Sequence, residues 1–376
     1  MTDFCRAAPI PQRPPPRFSR PLLAVLRENL FADRASAAIT IAVFAFLVLA
    51  LPPLWRFLIA DAVWRAPDGV ACRAPGAGAC WAFIAAKAPF FLYGSYPPDQ
   101  RWRVDLAFVL AAAPIVWLFW PHARRKGLAA LGFFVVLPPL GFALLSGAPA
   151  LGLPRVGTNL WGGAMVTLLV ALAGMVVALP GGALLALGRR SSLPALRFFC
   201  AALIEFARGA PLIAVLFMAN AMLPLFLSPD WAPDRLLRPL FGIALFASAY
   251  MAEVVRGGLN AVPPGQSEAA QALGLGRLAT LRLVVLPQAF VAVIPAIVNN
   301  FVALLKDTTL VAIVGIFDFL HAVDVARLDP KWSGPTIAAT AYAFAGLFYL
   351  AFCLSMSAYA RGVERRLGAG HHRTQA

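Results

Sequence analysis

The most distinctive spacing in this sequence is a run of acidic and small residues between two long apolar stretches. Glu268, Ala269 and Ala270 are followed, after three residues, by Gly274. Two prolines precede the run and cannot continue an earlier helix, because proline lacks the amide donor and clashes with the previous turn. Ser267 is then predicted to be an N-cap, with Glu268 in the first turn and Gly274 as the left-handed residue that ends a short helix. Small alanines allow another protein to approach closely, so we interpret this run as a docking helix.

Two adjacent amides, Asn299 and Asn300, lie near the middle of an apolar run that is long enough to cross a membrane. Polar groups at that depth are costly and are therefore functional candidates. One interpretation is hydrogen bonding between helices, and the other is contact with a transported substrate. Because successive helical residues point about 100° apart, only one of the two side chains can face a pathway squarely.

The cysteines allow one disulfide bond, and the cysteines and histidines together indicate no metal site. Cys72 and Cys80 share a segment predicted to be external, where an oxidising periplasm would allow a disulfide; two free thiols are the alternative. The four histidines and five scattered cysteines do not form a metal-binding pattern. We expect no metal and no cofactor.

Two acid–base pairs have helical spacing. Glu253 and Arg256 lie three residues apart, as do Glu205 and Arg208. We interpret both as ion pairs at the cytoplasmic ends of helices, with substrate contact as the alternative.

Composition indicates a membrane protein. The chain is 61% hydrophobic and 13% charged, whereas soluble domains are typically about 45–50% apolar and about 25% charged. The net charge of +15 does not indicate a nucleic-acid partner here, because basic residues between apolar runs usually orient a membrane protein. A phosphate-binding loop motif is missing from the sequence, so the chain is not expected to bind ATP itself.

Apolar runs of about 20 residues can cross the hydrocarbon core. We predict eight spans: 37–57, 104–120, 127–146, 162–188, 209–227, 239–258, 286–305 and 335–358. The shorter apolar stretch Leu310–Leu320 is predicted to be re-entrant or interfacial. Most Lys and Arg residues fall inside if both termini are cytoplasmic, which the positive-inside rule favours.

The predicted spans define the domain boundaries. They are a cytoplasmic Pro/Arg-rich tail at 1–36, a three-span extension at 37–150 with an external loop at 61–103, a core at 151–366 with a cytoplasmic loop at 259–285, and a cytoplasmic tail at 367–376.

The docking run belongs to a longer pattern. Gly274 is followed, after nine residues, by Val284 and then by Leu286-Pro287. The whole pattern resembles the EAA loop of ABC importer permeases, with Val284 where that loop usually has Ile. Four flanking segments are similar to motifs of the polar amino-acid (His/Glu/Gln/Arg/opine) permease family: Ala249–Gly258, Gly265-Gln266, Arg208–Leu212 and Lys306–Leu310. The three spans before the core resemble those of general L-amino-acid permease subunits.

The resemblance implies an all-α, polytopic inner-membrane protein with a C-terminal five-helix type I permease core. It implies a transport subunit, not an enzyme, that works with cytoplasmic ABC ATPase subunits, a second permease subunit (a homologue or a second copy), a periplasmic substrate-binding protein and an amino-acid substrate. Glu268, Ala269, Ala270 and Gly274 would form the ATPase-coupling site. The alternatives are an ion-coupled secondary transporter or channel, which usually shows internal repeats and buried carboxylates, and a membrane scaffold that transports nothing.

Overall fold

The computed structural model describes residues 22–120, 125–149, 152–228 and 233–373, and within these ranges the regular structure is helical apart from three isolated β-bridges. The all-α fold class predicted from the sequence is confirmed. Most of the predicted N-terminal tail lies outside the described residues.

The α-helices before the core are α1 Leu22–Leu30, α2 Arg34–Trp55, α3 Trp81–Tyr93, α4 Trp102–Phe119, α5 Lys126–Leu131 and α6 Leu137–Ser146. Those of the core are α7 Ala164–Arg189, α8 Pro194–Gly209, α9 Leu212–Phe217, α10 Leu237–Ala261, α11 Pro264–Ala272, α12 Arg277–Thr280, α13 Leu286–Asp307, α14 Phe319–Ala326 and α15 Ile337–Arg373.

Uninterrupted membrane spans are fewer than the eight predicted. Six helical segments of the described chain are long and apolar enough to cross: Arg34–Ala60, Lys126–Ser146, Ala164–Arg189, Leu237–Ala261, Arg277–Val314 and Ile337–Glu364. The second predicted span corresponds to α4, which has 18 residues and is not among the six. The fifth predicted span is part of a bent pair, Pro194–Gly209 with Leu212–Phe226, whose halves meet at 109°. The bend follows from Pro211, because a residue before proline is pushed out of the helical region, and Ala210 is extended with φ −90° and ψ 141°.

The centre of the bundle is the packing of α7, α10 and α13. Val166 and Ala178 of α7, Met251 and Ala252 of α10, and Leu304 of α13 are all buried in one apolar core. Such close packing of small and medium side chains positions α10 and α13, the two helices on either side of the predicted docking run.

A second apolar core lies at the N-terminal end of α7, where it includes Ala164. It joins Phe83 and Phe91 of α3 to Phe319 of α14 and to Trp332 and Ile337 near the start of α15. The segment 61–103, predicted to be a loop, is therefore a folded unit that contains α3.

Hydrogen bonds attach this unit to the C-terminal part of the chain. The backbone N–H of Cys80 donates to Oγ1 of Thr340 at 2.9 Å, and Nη1 of Arg73 donates to the carbonyl of Ser333 at 3.1 Å. In each bond the two partners are more than 200 residues apart in sequence, so local sequence patterns could not indicate the contact.

Two shorter segments, the stretch predicted to be re-entrant and the C-terminal tail, are helical in the structure. The stretch predicted to be re-entrant continues α13 as a 3₁₀ helix, Thr308–Val314, and then leads into α14. The C-terminal tail predicted from residue 367 is helical as far as Arg373.

Candidate coupling surface and substrate pathway

The predicted docking run forms α11, but the helix begins earlier than predicted. Pro263 is extended with φ −59° and ψ 138°, and Pro264 takes the first helical position, where a missing N–H costs nothing and the fixed φ suits a helix. Ser267 therefore lies inside the helix and is not its N-cap. Glu268 lies in the second turn, so the predicted benefit from the helix dipole, which falls off within the first turn, does not apply.

The end of α11 is confirmed as predicted. Gly274 has φ +82°, in the left-handed region. Its N–H donates to the carbonyl of Gln271 at 2.9 Å, and the N–H of Leu275 donates to the carbonyl of Ala270 at 3.1 Å. This pair of bonds is the Schellman arrangement, which satisfies carbonyls left free at a helix end. A side chain at Gly274 would meet no atom within 4 Å, so the need for glycine comes from the backbone conformation alone.

The exposed surface of α11 differs from the predicted one. Glu268 and Ala269 are exposed, whereas Ala270 is 4% exposed and faces the interior of this chain. Ala270 thus allows α11 to pack closely against other residues of the same chain. Leu273 and Leu278, which the sequence reasoning missed, are 84% and 78% exposed. The signal that could have found them was a large apolar side chain in the segment between the predicted spans 239–258 and 286–305.

The helices on either side of α11 are in backbone contact. A Cβ added to Gly258 of α10 would lie 2.5 Å from the carbonyl oxygen of Ala289 of α13, so only glycine allows this approach. Nearby, Nε2 of Gln288 donates to Oε1 of Gln266 in α11 at 3.1 Å. α11 is thus bonded to α13, which itself lies against α10.

An ion cluster lies at the same end of the bundle. Glu253 of α10 accepts from Arg256 at 2.7 Å and from Arg189 of α7 at 2.8 Å, and Arg208 of α8 lies 3.8 Å away. The predicted Glu253–Arg256 pair is present. The predicted Glu205–Arg208 pair is not, because Glu205 pairs with Arg189 at 2.9 Å.

The exposed face of α13 is lined by small and polar side chains. Asn299 is exposed and Asn300 is half-buried, and neither has a hydrogen-bond partner among the described residues. The exposed positions on the Asn299 face follow helical spacing: Gln288, Ala292, Ala296, Asn299, Ala303 and Lys306. We call these six residues the α13 stripe. Exposed positions of α2 carry large apolar side chains instead, such as Phe44 and Leu49.

Comparison with known proteins identifies the family. Residues 178–369 match the model of the binding-protein-dependent transport system inner membrane component. That range contains the end of α7, α11 and the α13 stripe.

This chain belongs to that family.

Two relatives align along nearly the whole permease. This chain is 43% identical to the inner membrane amino-acid ABC transporter permease protein YhdY of Escherichia coli K12, and the alignment covers 96% of this chain and 97% of the relative. It is 37% identical to the glutamate/glutamine/aspartate/asparagine transport system permease protein BztC of Rhodobacter capsulatus, covering 98% and 99%. A crystal structure of an amino acid ABC transporter with histidines overlaps 54% of this chain and 91% of that one, at 27% identity and a TM-score of 0.47.

The N-terminal extension of the permease contains the cysteine pair. Cys72 and Cys80 are joined by a disulfide in the structure, with 5.6 Å between their Cα atoms. Both are fully buried in the second apolar core. Both the disulfide bond and burial therefore shield the two sulfur atoms from reagents in solution. The sequence did not indicate that they are buried.

Proposed function

We propose that this permease imports amino acids, that a separate ATPase subunit drives it through α11, and that a periplasmic binding protein supplies its substrate. The observation that carries the coupling part is the exposed α11, held between two helices in backbone contact at Gly258 and Ala289. Support for the substrate class comes from relatives named as amino-acid permeases that align with almost the whole chain.

The proposed ATPase contact uses the exposed residues of α11 and the turn after it. Glu268, Ala269 and Leu273 lie together on or beside an exposed helix outside any candidate span. An apolar Leu273 at 84% exposure fits the centre of an interface, where large side chains bind in pockets of the partner. Gly274 orients this surface by ending the helix sharply.

The proposed substrate contact is Asn299. An amino acid brings an ammonium and a carboxylate, and each must exchange its hydration for protein partners inside the membrane. The Asn299 amide can donate or accept without adding a fixed charge, and its free polar atoms face outwards on the α13 stripe. We infer that the stripe faces a second permease subunit across the pathway. Asn300 lies beside the stripe and is half-buried, so we assign it to packing between helices and not to substrate contact.

The proposed orientation places both termini and α11 in the cytoplasm. Several arginines lie at the α11 end of the helical bundle, as the positive-inside rule expects of a cytoplasmic end. They are Arg189, Arg190, Arg197, Arg208, Arg256, Arg277 and Arg282.

Transport can be tested in proteoliposomes that contain the permease, its second subunit, the ATPase and the binding protein. We expect amino-acid uptake that requires ATP, that vanadate blocks and that uncouplers leave intact. Uptake that uncouplers abolish would indicate an ion-coupled transporter, and a complex that docks the ATPase but moves no amino acid would indicate a scaffold.

The docking surface can be tested by cross-linking. A cysteine in place of Leu273 should form a cross-link to the ATPase subunit. Leu328, 67% exposed after α14, is the matched control, because it lies near the opposite end of the bundle. Equal cross-linking from the two positions would contradict the assignment.

A further inference from the structure

Helix α8 is an element that sequence analysis left as part of a cytoplasmic connection. It covers Pro194–Gly209 and packs beside the ends of α7 and α10. Its axis meets the following helical segment, Leu212–Phe226, at 109°. If that segment points into the membrane, α8 must run close to the membrane plane.

One face of α8 is buried against the permease. Cys200, Ile204 and Ala207 are each at most 5% exposed, and they follow the spacing of one helical face. Gly188 of α7 lies directly against Cys200. This face fixes which sides of α8 remain available to other molecules.

A second face of α8 carries exposed aromatic side chains. Phe199 and Phe206, two turns apart, are 63% and 57% exposed. Ala202 lies between them and Ala195 one turn before Phe199, on the same face, and both are exposed too. Water is an unfavourable environment for such a surface, so it requires an apolar neighbour.

The third face of α8 carries its charged residues, with Phe198, 76% exposed, at the border to the apolar face. Glu205 and Arg208 point to the ion cluster, where they pair with Arg189 at 2.9 Å and with Glu253 at 3.8 Å. Arg197 is exposed and has no ion-pair partner among the described residues. A buried face, an apolar face and a cationic face on one helix match three surroundings: protein, acyl chains and lipid headgroups.

We propose that α8 lies in the membrane–water interface at the α11 end, with Phe199 and Phe206 among the acyl chains and Arg197 at the phosphates of anionic lipids. Amphipathic helices bind there through buried apolar area together with attraction to anionic headgroups. Continuity supports a lipid occupant, because α8 follows the candidate span α7 and leads into the apolar segment Leu212–Phe226. A guanidinium also suits phosphate, which it can bind through two parallel hydrogen bonds.

Photo-crosslinking distinguishes lipid from a protein partner. A benzoyl-phenylalanine in place of Phe199, in the full-length permease in nanodiscs, should give an adduct with the mass of one phospholipid. Leu184 in α7, 70% exposed, is the lipid-facing control, and Leu273 at the same end of the bundle is the control that should give no lipid adduct. A cross-link from Phe199 to a second permease chain or to the ATPase would overturn the proposal. So would the absence of a lipid adduct at Phe199 when Leu184 gives one.

The headgroup contact has its own readout in mixed lipids. Nanodiscs of phosphatidylglycerol and phosphatidylethanolamine should give adducts at Phe199 that are enriched in the anionic lipid. Arg197→Gln should reduce this enrichment about fivefold at most, the effect of one cation near the surface, while Arg197→Lys should keep most of it. Adducts that match the bulk lipid ratio, or an enrichment that Arg197→Gln leaves unchanged, would contradict the role of Arg197.

Discussion

Replacing Gly274 with valine tests the coupling helix through backbone conformation alone. Gly274 has φ +82° and no atom near its missing Cβ, so a new side chain would not clash with a neighbour. The left-handed conformation costs an L-residue about 1–2 kcal/mol, and a β-branched residue is among the least suited to it. If the loop relaxes instead, two hydrogen bonds at the helix end are lost, each worth about 0.5–1.5 kcal/mol. The second route thus costs about 1–3 kcal/mol, and the cheaper of the two costs the proposed docking conformation about 1–2 kcal/mol, a factor of about 5–30 in an equilibrium constant.

The affinity of the ATPase subunit for the permease in nanodiscs measures this effect. Gly274→Val should weaken binding about 5–30-fold at unchanged protein level, because the substitution lies at the surface. Gly274→Asn should weaken it less, since asparagine tolerates the left-handed region. Gly276→Val is the matched control, because Gly276 also has open space around it but an ordinary φ of −66°. If the valines at 274 and 276 bind the ATPase equally well, the backbone argument is wrong.

Three further changes separate the remaining proposals. Asn299→Ala should weaken amino-acid uptake or alter its selectivity at unchanged protein level, whereas Asn300→Ala should leave selectivity as in the parent; identical uptake profiles would place the substrate contact elsewhere. Burial raises the pKa of Asp318, which lies outside the candidate spans, to about 6. The folded state therefore holds this proton more tightly than the unfolded state, so thermal stability should rise as pH falls from about 7 to about 5, and Asp318→Asn should flatten that rise; a rise of the same size in the variant would exclude Asp318 as its source. Cys72 and Cys80 should react with an alkylating reagent only after both reduction and denaturation, seen as a mass shift, and alkylation of the denatured, unreduced protein would exclude the bond.

Local signals predicted the parts of the fold that depend on neighbouring residues. Long apolar runs predicted the membrane class, and the glycine after an alanine-rich turn predicted the end of α11. The start of α11 was wrong because two valid signals competed: Ser267 is a good N-cap, but Pro264 is equally suited to the first helical position. The burial of Ala270 was not foreseen, because the spacing of a short helix does not reveal which face its own protein covers.

Contacts between distant segments were beyond this kind of reasoning. The spacing of Glu253 and Arg256 predicts one pair along a helix, but nothing local indicates that Arg189 reaches the same carboxylate from α7. The folding of 61–103 likewise depends on α14 and α15, which follow it by more than 200 residues. Patterns of period 3.6 report a helix and its apolar face, and they do not report its partner.

The ion cluster connects two surfaces that sequence analysis treated separately. An isolated surface ion pair contributes little to stability. Glu253 differs, because its side chain is 17% exposed and lies between guanidinium groups from α7, α8 and α10. Removing one partner from such a site leaves a poorly solvated charge, which is costly, so the cluster holds α8 against α7 and α10. Since α10 ends at Ala261 and leads through two residues into α11, the proposed docking surface and α8 belong to one connected end of the bundle. In the proposed function, a force applied at α11 would therefore act on a helix whose end is already tied to α7 and α8 through Glu253.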